Sequence, residues 1–186
     1  MPPLQVPSPP LSDEVVLLRP WVADDVPDNI MLFADPTVLR FSWPHTTPYT
    51  EEHARTFFRE QELAREREQE LNFAFADPAA PDVVFGGGSL HWIDLRERRA
   101  SVGYWLAPAH RGRGIATRAT RLMVQWAFSE LGLARIELTC GPDNDASQRV
   151  ARRVGFVREG VLRSHTTFKE GRRDTLVFSL LSGELR

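Results

Sequence analysis

The chain has 186 residues, 42% hydrophobic and 26% charged, the balance of one folded domain with a real core, which excludes a disordered or fibrous chain. Lys+Arg is 23 against 25 for Asp+Glu, a formal net charge of -2, so the charge points neither to nucleic acid nor to an anionic membrane as the main partner. The single cysteine, Cys140, closes no intramolecular disulfide and supplies no Cys-rich zinc cage. No uncharged apolar run approaches the roughly 20 residues a bilayer span needs. The expectation is a cytoplasmic protein without a metal. Residues 1–12 are proline-rich, with neither a basic n-region nor an apolar h-region. They read as a disordered tail before one domain over 13–186.

Val15-Val16-Leu17-Leu18, stopped by Pro20, reads as a first strand, and Asp24-Asp25 opens a short helix. Pro36 to Thr50 reads as an irregular aromatic loop carrying Phe41, Trp43, His45 and Tyr49. From Thr50 onward, Ala54, Phe57, Phe58, Gln61 and Ala64 keep a three-four spacing that predicts a long amphipathic helix. Leu71 to Phe75 alternates as a strand, and Val83 to Trp92 is another, with Gly86-Gly87-Gly88 as the expected place for a bulge or bend. Ser101 to Leu106 is the next strand, and Gly114 to Leu131 the strongest helix of the chain. Arg135 to Cys140 reads as a strand. Pro142 to Asp145 is a turn into a helix ended by Gly155, and Phe156 to Leu162 with Thr175 to Leu181 form a late strand pair. Helices inserted singly among many strands predict an α+β, three-layer fold: a mixed sheet with helices on both faces.

The chemistry concentrates where the strand ending at Leu106 runs through Pro108 and His110 into Arg111-Gly112-Arg113-Gly114-Ile115-Ala116-Thr117. The first four N–H groups of a helix lack intrahelical partners and carry the positive end of its dipole, which makes an anion site. Gly112 and Gly114 let the backbone approach phosphate oxygens, and Arg111 and Arg113 add charge. A dinucleotide fingerprint is the competing reading. It finds its first two glycines here, Thr117 in place of the third and Glu137 in the following strand, but half the chain precedes it. No Gly-Lys-Ser/Thr loop for a nucleoside triphosphate is present.

Together these residues resemble the GNAT superfamily of acyl-CoA-dependent N-acyltransferases, whose pyrophosphate loop reads Gln/Arg-x-x-Gly-x-Gly/Ala. Leu18-Arg19-Pro20-Trp21, Phe33-Ala34-Asp35-Pro36, Gly103-Tyr104-Trp105-Leu106, Asn144-x-x-Ser147, Gly155-Phe156, Glu159-Gly160 and Arg173-Asp174 look like its RimJ/RimL branch, over roughly Val15 to Leu181. The resemblance implies a mostly antiparallel sheet splayed at its centre, with a slot for the pantetheine arm of acetyl-CoA. It places Trp105 and Leu106 on that arm through their backbones, the 111–116 loop on the pyrophosphate, and Asn144 on the far wall. Many relatives carry a tyrosine acid seven residues past the asparagine, where this chain has Ala151. Ser147 is the hydroxyl that the branch offers as proton donor to the thiolate. An N–H near Leu106 polarises the carbonyl.

The base is not defined by the resemblance, because the position that often carries an acid is Ser101; His45, Glu51, His91 and Asp94 are the alternatives. Trp43, His45, Glu51, Trp92 and Tyr104 are the expected acceptor-binding residues. The function expected is acetyl transfer from acetyl-CoA to a primary amine, a peptide N-terminus or a small amine. Another short donor such as succinyl-CoA, or an acyl-CoA-binding sensor without catalysis, stand as alternatives. A thiol-release assay separates enzyme from sensor. The sequence leaves room for a homodimer.

Overall fold

The computed structural model describes residues 4–42, 44–169 and 171–185. Strands β1 (Leu11–Ser12), β2 (Leu17–Arg19), β3 (Glu70–Ala76), β4 (Val84–Asp94), β5 (Arg99–Leu106), β6 (Arg135–Cys140), β7 (Val157–Phe168) and β8 (Gly171–Leu181) form one sheet. Their spatial order is β1-β2-β3-β4-β5-β6-β8-β7. All neighbours run antiparallel except β5 and β6, which are parallel. The helices are α1 (Val26–Phe33), α2 (Pro36–Ser42), α3 (Glu51–Glu66), α4 (Ile115–Ser129) and α5 (Asp145–Val154).

Strand alternation divides the core between the two faces of the sheet. On one face Trp21, Leu32 and Ala74 pack with Phe33 of α1, Phe57 and Phe58 of α3, and Trp105. On the other, Phe73, Phe75, Leu138 and Phe178 pack with Met123 and Ala127 of α4 and Ala151 and Val154 of α5. This is the expected three-layer arrangement, and it explains why β3 is buried from Leu71 to Ala76 on both of its sides.

Four expectations change. The opening segment is not a loose tail where it is described: Leu4 is only 4% exposed within the core, and Leu11 and Ser12 pair with Leu18 and Leu17. Part of the supposed aromatic loop is helical, because Asp35 Oδ1 accepts the amides of Thr37 and Val38 and caps α2, with Pro36 opening it. The glycine trio stays in register with β5, through Gly86↔Leu106 and Gly88↔Tyr104. Its role is close approach: a Cβ on Gly87 would stand 2.5 Å from the Trp21 ring and one on Gly88 2.6 Å from the Gly103 carbonyl oxygen. β4 is irregular in two places: beside the trio on its β3 edge, where Phe75↔Gly86 is followed by Ala76↔Val84 and Phe85 is passed over, and between His91 and Asp94, where Trp92 takes φ 50°. The late strands are longer than expected and make one extended hairpin.

The feature that positions the site is the brief pairing of β5 and β6. Only Arg99↔Arg135, Ala100↔Ile136 and Ser101↔Glu137 are matched, after which the strands part while β6 continues along β8 to Cys140↔Leu176.

Candidate active site

Beyond Ser101 the β6-facing edge of β5 has lost its ladder. Ala107 N donates to Phe85 O of β4, and Ala134 N to Arg98 O from the β6 side. In a strand the backbone groups of successive residues point to opposite edges, so the groups of Val102, Tyr104 and Leu106 face the gap while those of Trp105 pair with β4. This turns the Trp105 backbone away from the gap, contrary to the sequence expectation, while the Leu106 N–H faces the gap and its carbonyl accepts from Arg111. The open edge from Val102 to Leu106 is about 16 Å long at ~3.3 Å per residue. Orphaned amides along it are the partners an extended, amide-bearing ligand needs. A cavity of about 230 Å3 occupies the gap, walled by Tyr104, Trp105 and Leu106, the 111–117 loop, Asn144 and Ser147, and Val38 and Phe41 of α2.

At the mouth, Gly112 and Gly114 take φ 73° and 80°, and a Cβ on either would meet nothing within 4 Å. Gly114 is the N-cap of α4, so no side chain caps the helix among the described residues, and its first amides are left for an anion. Ile115, Ala116 and Thr117 line the same cavity. Arg111 behaves differently from expectation. Its guanidinium donates to Leu106 O at 2.9 and 3.1 Å and pairs with Asp35. It therefore clasps the loop to β5 and α2 instead of reaching outward. Burial would raise the Asp35 carboxyl, but Arg111 and the α2 amides outweigh it and hold the pKa below its usual value. Arg113 lies beside His110, 3.5 Å from its Nδ1, and does not line the cavity. The cations that do line it, besides Arg111, are Arg149 and Arg153, four residues apart on α5. The sequence reading missed them, although an i, i+4 pair next to the serine motif was the available signal.

Deeper in the gap, Asn144 Oδ1 accepts Ser147 N at 3.1 Å, capping α5. The Ser147 hydroxyl does not serve the helix; it lies 3.0 Å from the Tyr104 hydroxyl. Burial pushes the Tyr104 phenol well above its ordinary pKa, opposed by the Ser147 hydrogen bond. It stays protonated at neutral pH, and either hydroxyl can donate in this pair; with Tyr104 as donor the serine proton is left for a group in the slot. Cys140 is buried alongside, its thiol pKa raised by that burial.

Residues 16–157 match the model of the acetyltransferase (GNAT) domain. The chain belongs to the GNAT acetyltransferase family. "Probable N-acetyltransferase YjcK" of Bacillus subtilis is 32% identical over 176 residues, spanning 92% of this chain and 97% of that one. The ribosomal-protein-serine acetyltransferase of Escherichia coli is 34% identical over 82 residues, a match that covers less than half of either chain, 44% and 46%. Mycobacterium smegmatis RimJ, solved with CoA-disulfide, superposes with TM-score 0.82 at 27% identity over 98% of this chain and 87% of its own. Within the GNAT family the chain resembles the RimJ/RimL branch, and it is an N-acetyltransferase that draws on acetyl-CoA. The open glycines, uncapped α4 and unpaired β5 edge fit that donor.

The acceptor residues expected from the sequence are not all brought to this GNAT slot. Tyr104 is, through its contact with Ser147. Trp43 lies outside the described residues. His45 is exposed and lines none of the cavities. Glu51 points away: its carboxylate is held by Arg55 one turn on, at 2.6 and 2.8 Å, with both side chains largely exposed. Its neighbours Glu52 and His53 take the expected place, lining a cavity of about 560 Å3 with Phe33, Tyr49 and Trp105. There Phe33 and Tyr49 stack at 4.2 Å, and Tyr49, whose pKa burial pushes up to about 12, donates to Asn29 Oδ1. Trp92, 70% exposed, walls a third cavity of about 1080 Å3 together with Glu70, His91, Ser101 and Glu137.

Proposed function

We propose that the protein acetylates α-amino groups, those of peptide and protein N-termini and of small α-amines, by direct attack of the neutral amine on the acetyl-CoA thioester. In this reading the amides of loop 112–117 hold the pyrophosphate, with Arg149 and Arg153 serving its remaining phosphate charge. Asn144 and the β5 edge hold the pantetheine arm. A Leu106 or Tyr104 N–H polarises the carbonyl, and Ser147, backed by Tyr104, gives the departing thiolate its proton. A thiolate with pKa near 8.5 is a fair leaving group, so positioning carries more of the rate than the acid does. The site operates in the cytoplasm, where acetyl-CoA and new N-termini meet.

The observation that carries the choice of amine is Ser101, a buried hydroxyl 5% exposed at the fork of β5 and β6, where a carboxylate would make a strong base. An α-amine with pKa ~7.8 is about 14% neutral at pH 7, and a lysine amine with pKa ~10.4 about 0.04%. A site without a strong base favours the former by roughly the ratio of these fractions, a few hundredfold. The E. coli relative named ribosomal-protein-serine acetyltransferase supports a protein acceptor. The test compares kcat/KM for a lysine-free peptide with a free N-terminus against the same peptide N-terminally blocked and carrying one lysine, from pH 6.5 to 9.5. The free N-terminus should win at pH 7 and its lead should shrink as pH rises. A better blocked lysine peptide at pH 7 ends this reading.

A further inference from the structure

On the face of the sheet carrying Trp105, strand register lines up polar residues where apolar ones would be expected. Glu70↔His91, His91↔Ser101, Ser101↔Glu137 and Glu137↔Ser179 are successive lateral partners. Paired residues share a face, so these side chains form one polar row across β3, β4, β5, β6 and β8. The row crosses the sheet at its fork, since Ser101↔Glu137 is the last match before β5 and β6 separate. It also borders the cavity of about 1080 Å3. A second row backs it: Asn72 and Ser89 are opposite each other, 9% and 6% exposed.

Within this row His91 is the best placed base. Its Nδ1 lies 3.1 Å from Ser89 Oγ, and Ser89 also hydrogen-bonds Glu70. In the tautomer whose Nδ1–H donates to Ser89 Oγ, Nε2 is the ring nitrogen left to accept a proton. The ring leans diagonally over Gly103, with Cε1 3.3 Å from where a Cβ on that glycine would stand. It thus overhangs the middle of β5, one residue before Tyr104 at the edge of the slot. Glu137 is less available, because Arg135 Nε holds it at 2.9 Å. The Tyr104 and Ser147 hydroxyls belong to the opposite face, because Tyr104 alternates with Gly103 and Trp105.

We propose that the acceptor amine enters from this cavity and that His91 takes its proton, oriented by Ser89 and Glu70. The inference rests on the acetyltransferase reading and adds the base that Ser101 does not supply. The amine lone pair forms the N–C bond while the carbonyl pair moves to oxygen, and the N–H proton passes to His91 Nε2. The oxygen pair then returns, the C–S bond breaks, and sulfur takes the Ser147 proton. The imidazolium loses its proton to solvent, and solvent returns one to Ser147 by way of the Tyr104 hydroxyl, which relays it and ends protonated, so the sum is amide plus CoA thiol. Burial lowers the His91 pKa to about 4, so the ring is neutral throughout the working range. It accepts the proton of an amine already attacking, and leaves α-amines favoured over ammonium-bound lysines.

The test uses thiol release with acetyl-CoA and the free-N-terminus peptide. His91→Gln and His91→Ala should lower kcat about a hundredfold, the scale of general-base catalysis, with the CoA dissociation constant unchanged. Added imidazole should restore turnover to His91→Ala and none to Ser147→Ala, a response that a structural role would not give. Ser89→Ala, which preserves bulk in the sheet, should lower kcat about tenfold at constant peptide KM and covers the case in which His91 variants do not fold. A folded His91→Gln within threefold of the unaltered protein overturns the proposal, as does an imidazole-insensitive His91→Ala that has also lost CoA affinity. Failure of the unaltered protein to acetylate any amine would instead overturn the acetyltransferase reading, and this one with it.

Discussion

The two sides of the fork are built from different material. The donor side is backbone: the open edge of β5, the glycine turn at 112 and 114 and the first amides of α4, nearly all within one continuous stretch of chain. The acceptor side is made of side chains brought from β3, β4, β5 and β6 by register alone. A backbone site tolerates change in most side chains but not in conformation, whereas a site of assembled side chains depends on each functional group and on every strand offset that delivers it.

That contrast can be broken by experiment. Removing one hydroxyl should produce the largest loss: Ser147→Ala lowers kcat about a hundredfold, with Tyr104→Phe smaller in the same direction, while the CoA dissociation constant stays put because only the transition state feels the donor. Steady-state kinetics with calorimetry checks both halves. Full turnover in Ser147→Ala would leave the residue no role beyond its hydrogen bond to Tyr104. Next comes the backbone. Gly112→Val forces φ 73° on a branched side chain and fills the open space of the turn, so CoA should bind more than tenfold weaker, at least ~1.4 kcal/mol. Calorimetry giving an unchanged affinity for the folded variant would erase the distinction between the two sides.

A smaller effect sharpens it. Asp35→Asn keeps an oxygen to cap α2 but removes the charge facing Arg111, which is 34% exposed at its side chain. CoA affinity should fall only about two- to fivefold, ~0.4–1 kcal/mol, since a partly exposed ion pair is worth little. The smallest expected effect lies away from the fork. Arg135, with help from Ser179, holds the Glu159 carboxyl down to about 2 against an ordinary 4.5. A depressed carboxylate stabilises above its unfolded pKa, and that contribution disappears as pH falls from about 4.5 toward 2. The side chains are 28% and 44% exposed, so solvent screening keeps it to ~1 kcal/mol or less. Denaturant melts of Glu159→Gln and the unaltered protein should differ slightly at pH 7, draw together as pH falls below about 4.5 and converge only near pH 2.

How much was legible follows from the same contrast. The strand, loop and helix from Ser101 to Ser129 are local, and Asn144 and Ser147 stand in a motif whose cap geometry depends on three residues. Arg111 was misread because its partner, Asp35, is 76 positions away. Trp105 was misread because composition does not say which edge of a strand keeps its neighbour, and backbone direction reverses with each residue. Glu51 and Glu52 are adjacent in sequence, yet a helix turns by about 100° per residue, enough to send one to Arg55 and the other to a cavity. The aromatic residues and prolines of Pro36 to Thr50 suggest a loop, yet Asp35-Pro36 is a cap followed by a first-turn proline that opens α2. The polar row through His91 is a property of register, which no single strand reveals.

The parting of β5 from β6 also sets the traffic of the reaction. The cavity beside the 111–117 loop and the one beside the polar row share no lining residue, so in the proposed reading donor and acceptor need not queue for a single door. Both substrates occupy the enzyme together, no acyl group has to be parked on a side chain, and initial-rate lines at varied acetyl-CoA should intersect instead of running parallel. In that reading the acetylated product leaves on the side by which the amine came.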